Sequence, residues 1–230
     1  MNKIIKIGLP SKGRLKEDSL KIFRKNKLYI KDSKRNYLSE IKNFNQNEII
    51  FSHAREIIER LADNSLDIGI SGYDLFKESL SGLQKKIQIF SHLNFGFAEL
   101  VVAVPDSWLD VQTIADLEEI SFEFKDKNAG KLRVATKYPN LTNDFLLSKG
   151  LTHYKIVNSL GSTEIYPFTD QSEFIIDITS TGSTLKANKL RILKDGGILK
   201  SSACILISKK SLGNKYKKGL IKKLLNKIKI

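Results

Sequence analysis

Two rhythms of apolar and polar positions run along this chain. Residues 3–8 alternate as a strand, and residues 14–25 set Leu15, Ile22 and Phe23 on one side of a helix. Residues 48–51 read as a short strand. Residues 55–64 then form a helix striped by Ile57, Ile58 and Leu61, and residues 66–71, nearly all apolar after Asp67, form another strand. Strands that are apolar on both sides and separated by amphipathic helices predict an α/β fold, a parallel sheet covered on both faces.

The pattern loosens further on. Strands are predicted at 87–92, at 98–104 before Pro105, and at 132–136, 154–158 and 174–178. Residues 110–117 read as helical, and the charged stretch 118–131, with Asn128-Ala129-Gly130, as a surface loop. The run Ala203-Cys204-Ile205-Leu206-Ile207 reads as a buried strand in which Cys204 is a small core hydrophobe. In the last segment Tyr216, Leu220, Leu224 and Ile228 recur at every fourth position among lysines. This is an amphipathic helix suited to docking on the core or on another subunit. It lacks the Trp or Phe anchors of membrane-surface helices.

Composition narrows the class. The 230 residues, 41% hydrophobic and 28% charged, suit one large or two small globular domains. No apolar stretch is long enough to span a bilayer. The N-terminal alternation is unlike a secretory signal, and with a single cysteine it points to a cytoplasmic location. His53, His92 and His153 are scattered and show no metal-ligand spacing. The net charge of +14 admits nucleic acid, a membrane surface or an anionic small substrate. Most of the lysines are spread along the chain, however, and only residues 215–229 form a dense basic run.

Three segments carry candidate chemistry. In the first, the apolar strand ending in Asp177 runs into Thr179-Ser180-Thr181-Gly182-Ser183-Thr184 and then a predicted helical turn. Free amides, hydroxyls and a glycine there suit a phosphate, and a carboxylate near the strand end suits ribose hydroxyls. The same spacing also reads as a Ser/Thr-rich helix cap. In the second, Pro10-Ser11-Lys12-Gly13-Arg14-Leu15 places two cations at a strand–helix turn, which suits a di- or triphosphate or is simply an exposed basic loop. The third, Asp67-Ile68-Gly69-Ile70-Ser71-Gly72-Tyr73-Asp74, has glycines that permit close approach of a ligand or a neighbouring backbone. Asp74 falls where an acid caps a helix.

Taken with Thr136-Lys137-Tyr138-Pro139-Asn140 and Gly161-Ser162-Thr163-Glu164, these segments resemble the ATP phosphoribosyltransferase family, which opens histidine biosynthesis. Its signature reads here from Glu164 through Ser172, Ile175 and Asp177 to Thr181-Gly182-Ser183-Thr184-Leu185, and the likeness extends from Ile5 to about Ser208. Two positions depart from the pattern. Asp170 stands at a glycine position, so the turn before Ser172 is expected from another residue than glycine; Asp tolerates unusual turn conformations, and a local change rather than loss of activity is expected. His53 stands where many relatives have arginine, a contact Arg55 is placed to replace.

The resemblance implies a two-lobed α/β fold like that of periplasmic binding proteins, with the active site in the cleft. The lobes would be residues 1–90 with 186–230, and 91–185. It also implies transfer of the 5-phosphoribosyl group of 5-phosphoribosyl 1-diphosphate to N1 of ATP, with release of pyrophosphate. Thr179, Ser180, Thr181, Gly182, Ser183 and Thr184 would hold the 5-phosphate, and Asp177 and Glu164 the ribose hydroxyls. Lys12, Gly13 and Arg14 would face phosphates of ATP or pyrophosphate, with Asp74 beside the nucleotide. Catalysis would fall to Lys12, Arg14 and Asp177, with Mg²⁺ held mainly by substrate phosphates. Only twenty residues follow Lys210, which matches the family's short form. That form works in a hetero-oligomer with a regulatory subunit resembling histidyl-tRNA synthetase, for which the basic helix 216–230 is a docking candidate. A non-catalytic binding protein of the same fold and a basic nucleic-acid binder, neither of which this motif set requires, are the alternative readings.

Overall fold

The computed structural model describes residues 4–30, 37–126 and 130–228. It divides into two compact units, Met1–Phe97 with Ser202–Ile230, and Ala98–Ser201. The crossings thus fall after Phe97 and Ser201 rather than near 90 and 186. Two strands explain the difference: β5 (Ile87–His92) completes the first sheet, while β10 (Leu190–Ser201) belongs to the second. β10 was hidden because its pairing with β6 (Ala98–Pro105) shifts register around Gly197, which breaks the two-residue alternation.

The first unit's sheet runs β2–β3–β1–β4–β11–β5, with β1 (Ile5–Pro10), β2 (Leu38–Ser39), β3 (Asn47–Ser52), β4 (Ile68–Gly72) and β11 (Ala203–Ser208). β1 pairs in parallel with β3 and β4, and β11 is antiparallel to both β4 and β5. β1, β3, β4 and β5 therefore all point the same way and end at one edge of the sheet. Side chains alternate between two apolar layers. Ile49, Phe51, Ile205 and Ile207 pack with Phe23 of α1 (Gly13–Lys25) and Leu220 and Leu224 of α9 (Lys215–Lys227). Ile50, Cys204 and Leu206 pack with Ile57, Ile58 and Leu61 of α2 (Ala54–Ala62) and Phe76 of α3 (Tyr73–Glu78). Two short helices, α4 (Ser81–Gln84) and α8 (Lys209–Gly213), complete the unit.

Side chains of α2 and of the segment that follows it lie so close to the sheet that a Cβ at either of two strand glycines would force a shift. A Cβ on Gly8 would meet Leu66 Cδ1 at 2.5 Å, and one on Gly69 would meet Ile57 Cγ2 at 2.6 Å. Gly69 thus serves helix packing rather than ligand approach. Cys204 is fully buried, its thiol donates to the Ser71 carbonyl, and burial pushes its pKa up to about 12, as befits a core residue. The terminal helix docks on the core through Leu220, Ile221, Leu224 and Leu225, while Tyr216 stays largely exposed, so the apolar stripe is wider than every fourth residue and omits its first member. Its Lys217 pairs at 2.8 Å with the buried Asp67, whose other oxygen accepts from the Lys6 amide.

The second unit has a five-stranded sheet, β10–β6–β9–β7–β8, with β7 (Leu132–Thr136), β8 (Tyr154–Asn158) and β9 (Phe174–Thr179). β7 is parallel to both β8 and β9, and β6 is antiparallel to β9 and β10. The loop expected at 118–131 is instead helix as far as Asp126: α5 spans Ile114–Asp126, and residues 127–129 lie outside the described residues. Ile114, Leu117 and Ser121 are buried at helical spacing, and the charges between them are mostly glutamates that suit a helix's wet face. Its start is later than expected because the Asp116 carboxylate accepts from the Gln112 and Thr113 amides, both at 2.7 Å, bonds that also lower its pKa. α6 (Pro139–Ser148), a 3₁₀ turn (Thr163–Phe168) and α7 (Ser183–Ala187) follow. Among the described residues no helix is long and apolar enough to cross a membrane.

Candidate active site

In the second unit the parallel strands β7, β8 and β9 deliver their carboxyl ends to one edge, the usual ligand position in α/β sheets. Lys137 follows β7, Thr163 and Glu164 follow β8, and Asp177 sits near the end of β9. Asp177 is half-buried, and that desolvation raises its pKa. The Ile178 amide, Lys137 and the Thr163 hydroxyl oppose the rise, and Glu164 adds to it. Three sequence-distant residues, Lys137, Thr163 and Glu164, thus converge with the neighbouring amide on one carboxylate. Lys137 is the member that residue-by-residue reading did not single out, since only its electrostatic reach to Asp177 marks it. Thr163 is fully buried and shares a 3.0 Å contact with the Ser159 hydroxyl, which fixes the 3₁₀ turn carrying Glu164.

Beyond Asp177 the chain folds back through Gly182, whose φ of +73° lies in the left-handed region open to glycine. Nothing lies within 4 Å of a Cβ placed there, so the backbone conformation alone demands the glycine. The Thr179 hydroxyl accepts from the Gly182 amide at 2.9 Å, and the Thr181 and Ser183 hydroxyls meet at 2.8 Å. Ser180, Thr181, Ser183 and Thr184 are exposed. The residue that caps α7 is Gly182, and the Thr181 hydroxyl accepts from the Ser183 amide at 3.4 Å, so two of the hydroxyls serve the helix start while those of Ser180 and Thr184 do not. Leu185 is buried beneath the turn among Val101, Ala103, Ala135 and Ile175, and anchors it to the sheet.

The departure at 170 is local to its turn. Asp170 itself makes the turn, with φ of +55°, so it adopts the conformation that glycine supplies in the signature. Its carboxylate and carbonyl accept from the Arg133 guanidinium at 3.0 and 2.8 Å, and Arg133 also binds Glu173. The turn is therefore tied to β7 rather than lost.

In the first unit the second candidate turn follows β1. Gly13 opens α1 with φ of +73°, and Lys12 and Arg14 on either side are exposed. No acid occupies the first turn of α1, and no carboxylate among the described residues lies within ion-pair distance of Lys12 or Arg14. His53 follows β3 and caps α2, its Nδ1 accepting from the Arg55 amide at 3.4 Å. Asp74 follows β4 in the first turn of α3 and is buried, its carboxylate folded over Gly72, where an added Cβ would lie 2.3 Å from Oδ1. All four positions occupy the same edge of the first sheet. So does His92, at the end of β5, which sequence reasoning treated only as a scattered histidine.

Each half of this arrangement belongs to a class: an α/β chain of two sheets, with anion-ready turns beyond the carboxyl ends of parallel strands. The alkanesulfonate-binding protein SsuA from Xanthomonas axonopodis pv. citri bound to MOPS has a related fold, with a TM-score of 0.55 at 16% identity, covering 98% of this chain and 72% of that one. The ATP phosphoribosyl transferase (HisG:HisZ) complex from Thermotoga maritima is nearer, with a TM-score of 0.76 at 26% identity over 98% of this chain and 96% of that one. The family model for HisG, ATP phosphoribosyltransferase, matches residues 53–230. ATP phosphoribosyltransferases from Brucella melitensis biotype 2 and Brucella anthropi are 43% and 42% identical to the chain, over 90% and 91% of its length and 91% and 92% of theirs. The chain belongs to the ATP phosphoribosyltransferase family. Its activity is the family's, transfer of a phosphoribosyl group to ATP in the first step of histidine biosynthesis.

Proposed function

We propose that the turn from Asp177 to Thr184 holds 5-phosphoribosyl 1-diphosphate and that Lys12, Gly13, Arg14 and Asp74 receive ATP. One observation carries the assignment: a half-buried carboxylate at the end of β9 leads directly into a left-handed glycine turn of exposed hydroxyls. The hydroxyls and turn amides take the 5-phosphate, and Asp177 and Glu164 accept from the ribose hydroxyls. Lys12 and Arg14, unpaired with any described carboxylate, offset charge on the ATP phosphates or on the departing pyrophosphate.

Adenine N1 is itself the nucleophile, so the protein's task is alignment and charge stabilisation. The N1–C1 bond forms as the C1–O bond to pyrophosphate breaks, and the pyrophosphate leaves with the electron pair. The family's metal ion is assigned here as Mg²⁺. The cation is proposed to be carried mainly by substrate phosphates. Bound there, Mg²⁺ would neutralise charge on the diphosphate.

A hetero-oligomer with a regulatory subunit resembling histidyl-tRNA synthetase is proposed for this chain in the cytoplasm. The support is its coverage of 96% of the matched chain in the Thermotoga maritima HisG:HisZ complex. The test combines the chain with ATP, 5-phosphoribosyl 1-diphosphate and Mg²⁺, with and without that subunit. Pyrophosphate release that rises with the subunit is expected, and none in either arm rejects the assignment. Asp177→Ala and Thr181→Ala should each weaken phosphoribosyl diphosphate binding, Asp177→Ala by about ten- to a hundred-fold. Unchanged binding in both would show the turn to be misplaced.

A further inference from the structure

His92 sits at the edge of the first sheet proposed above to receive ATP, and the pattern of bonds around it gives it a defined chemistry. β5 pairs His92 with Cys204 of β11, and Cys204 pairs in turn with Ser71 of β4. His92 is therefore level with the strand end that leads into Tyr73 and Asp74. It is exposed, unlike the buried Asp74.

Its ring is held on two sides. The Tyr73 ring meets it edge-on, with centroids 4.9 Å apart and planes at 69°. Nδ1 lies 3.3 Å from the Ser202 hydroxyl oxygen. Ser202 is buried, and its hydroxyl donates to the Ala203 carbonyl at 3.3 Å. With the hydroxyl proton directed to the Ala203 carbonyl, Ser202 Oγ serves as acceptor for Nδ1–H of the imidazole, one of the two tautomers that the 3.3 Å contact allows. That tautomer leaves Nε2 unprotonated, a hydrogen-bond acceptor with no partner among the described residues. Ser202 is itself fixed, since its carbonyl accepts from the Tyr73 amide at 2.9 Å.

We propose that His92 Nε2 accepts a hydrogen bond from the exocyclic amine of the adenine of ATP, making His92 a catalytic and base-selecting residue. The inference rests on the assignment of ATP to this unit. As N1 bonds to the ribose carbon, the adenine ring becomes cationic and its charge spreads onto the amine. An acceptor at that amine gains strength as the bond forms, so it stabilises the transition state more than the ground state. The amine keeps its proton throughout, and no further group is consumed. A purine bearing a carbonyl at this position would set two acceptors against each other, which weakens binding of inosine and guanosine triphosphates, whose protonated N1 is in any case no nucleophile. The titratable groups facing His92 are Tyr73 from α3 and Cys204 from β11, and Asp74 acts electrostatically on that same Cys204. Protonation of Nε2 would turn the acceptor into a donor beside a developing cation, so activity should fall wherever that nitrogen is protonated.

The experiment measures kcat and KM for ATP as a function of pH in the chain with its regulatory subunit, for His92→Ala, His92→Gln and Ser202→Ala. His92→Ala should lower kcat/KM by about ten- to a hundred-fold. His92→Gln, whose carbonyl also accepts, should recover part of that loss and abolish the acid limb that His92 contributes. Ser202→Ala should lower kcat less, keep the limb, and act only through ring orientation. The preference for binding ATP over inosine triphosphate, read with inosine triphosphate as a competitive inhibitor, should narrow in His92→Ala. Lys12→Ala is the reference for the underlying assignment. If it raises KM for ATP while His92→Ala leaves rate, pH profile and selectivity unchanged, the role of His92 is overturned and the ATP assignment stands. If neither variant affects ATP, both fall. A loss in His92→Ala that His92→Gln does not relieve, with the acid limb intact, would assign His92 to packing on Tyr73 and overturn the acceptor role.

Discussion

The two anion-ready turns have the same backbone device and opposite chemistry. Each leads from a strand into a helix, and each pivots on a glycine at φ of +73°, Gly13 in the first unit and Gly182 in the second. Around Gly13 the side chains are cations, Lys12 and Arg14, both exposed. Around Gly182 there is no cation in the turn, only hydroxyls and amides, with Asp177 behind them. Cations attract at a distance and tolerate imprecise geometry, while hydroxyls and amides act over one hydrogen bond and need the backbone held in place. The first turn suits a flexible polyphosphate or a departing pyrophosphate. The second suits a single phosphate that must stay registered while bonds change a few ångströms away.

The largest effect expected from this contrast is at Gly182. Replacing it with Val puts a β-branched residue at positive φ, a strain of about 1–3 kcal/mol, although no neighbour is struck. The turn should relax to negative φ and lose its amide geometry, dropping kcat/KM for phosphoribosyl diphosphate by about a hundred-fold or more, from two or more charge-assisted bonds. Gly182→Asn should retain much of the activity, since Asn tolerates the left-handed region, as Asp170 does elsewhere in this chain. Equal losses in the two variants would mean that conformation is not what the turn needs.

Next in size is Lys12→Ala or Arg14→Ala, each expected to raise KM for ATP by about ten-fold through loss of one charge-assisted contact. Because both side chains are exposed, this contribution should shrink as ionic strength rises from 0.1 M to 1 M and the screening length contracts from about 10 to about 3 Å. Phosphoribosyl diphosphate binding at the hydroxyl turn should show a shallower salt dependence. Parallel salt slopes for the two substrates would erase the proposed division of labour.

This contrast also shows what could be read in the linear sequence. The first half of the chain was legible because β1, β3 and β4 are buried on both faces and their helices carry clear stripes such as Ile57, Ile58 and Leu61. β10 was not, since its register shifts around Gly197 break the alternation, and α5 was cut short because glutamates on its wet face imitate a loop. The hydroxyl turn was legible as a motif, yet which of its hydroxyls serve the helix start needed coordinates: the bonds of Thr179 and Thr181 to turn amides show it. Lys137 was legible only as part of a segment, and His92 only as a scattered histidine. Their place depends on strand order and direction, which bring β7 beside β9 and set β5 two strands from β4. At Asp170 the residue type already showed a capacity for left-handed φ, and only the coordinates show that the turn uses it.

The smallest predicted effect separates the two turns by stability instead of binding. Burial raises the Asp177 pKa despite Lys137, Thr163 and the Ile178 amide, so the folded protein holds this proton more tightly than the unfolded chain. In the window between the ordinary aspartate value and the raised one, the native state binds more protons, and stability must fall as pH rises through it. The carboxylate is thus strained at neutral pH in the absence of substrate, a cost consistent with a site kept for function rather than stability. Asp177→Asn removes the charge with little change in shape. It should raise the midpoint of thermal unfolding at neutral pH, bring the two proteins together below the ordinary aspartate range, and weaken phosphoribosyl diphosphate binding. Lys12→Ala, an exposed position, should leave the midpoint within error at every pH. If Asp177→Asn instead lowers the midpoint at neutral pH, the contacts from Lys137 and Thr163 outweigh desolvation. The hydroxyl turn would then be held as much by its carboxylate as by Leu185 beneath it.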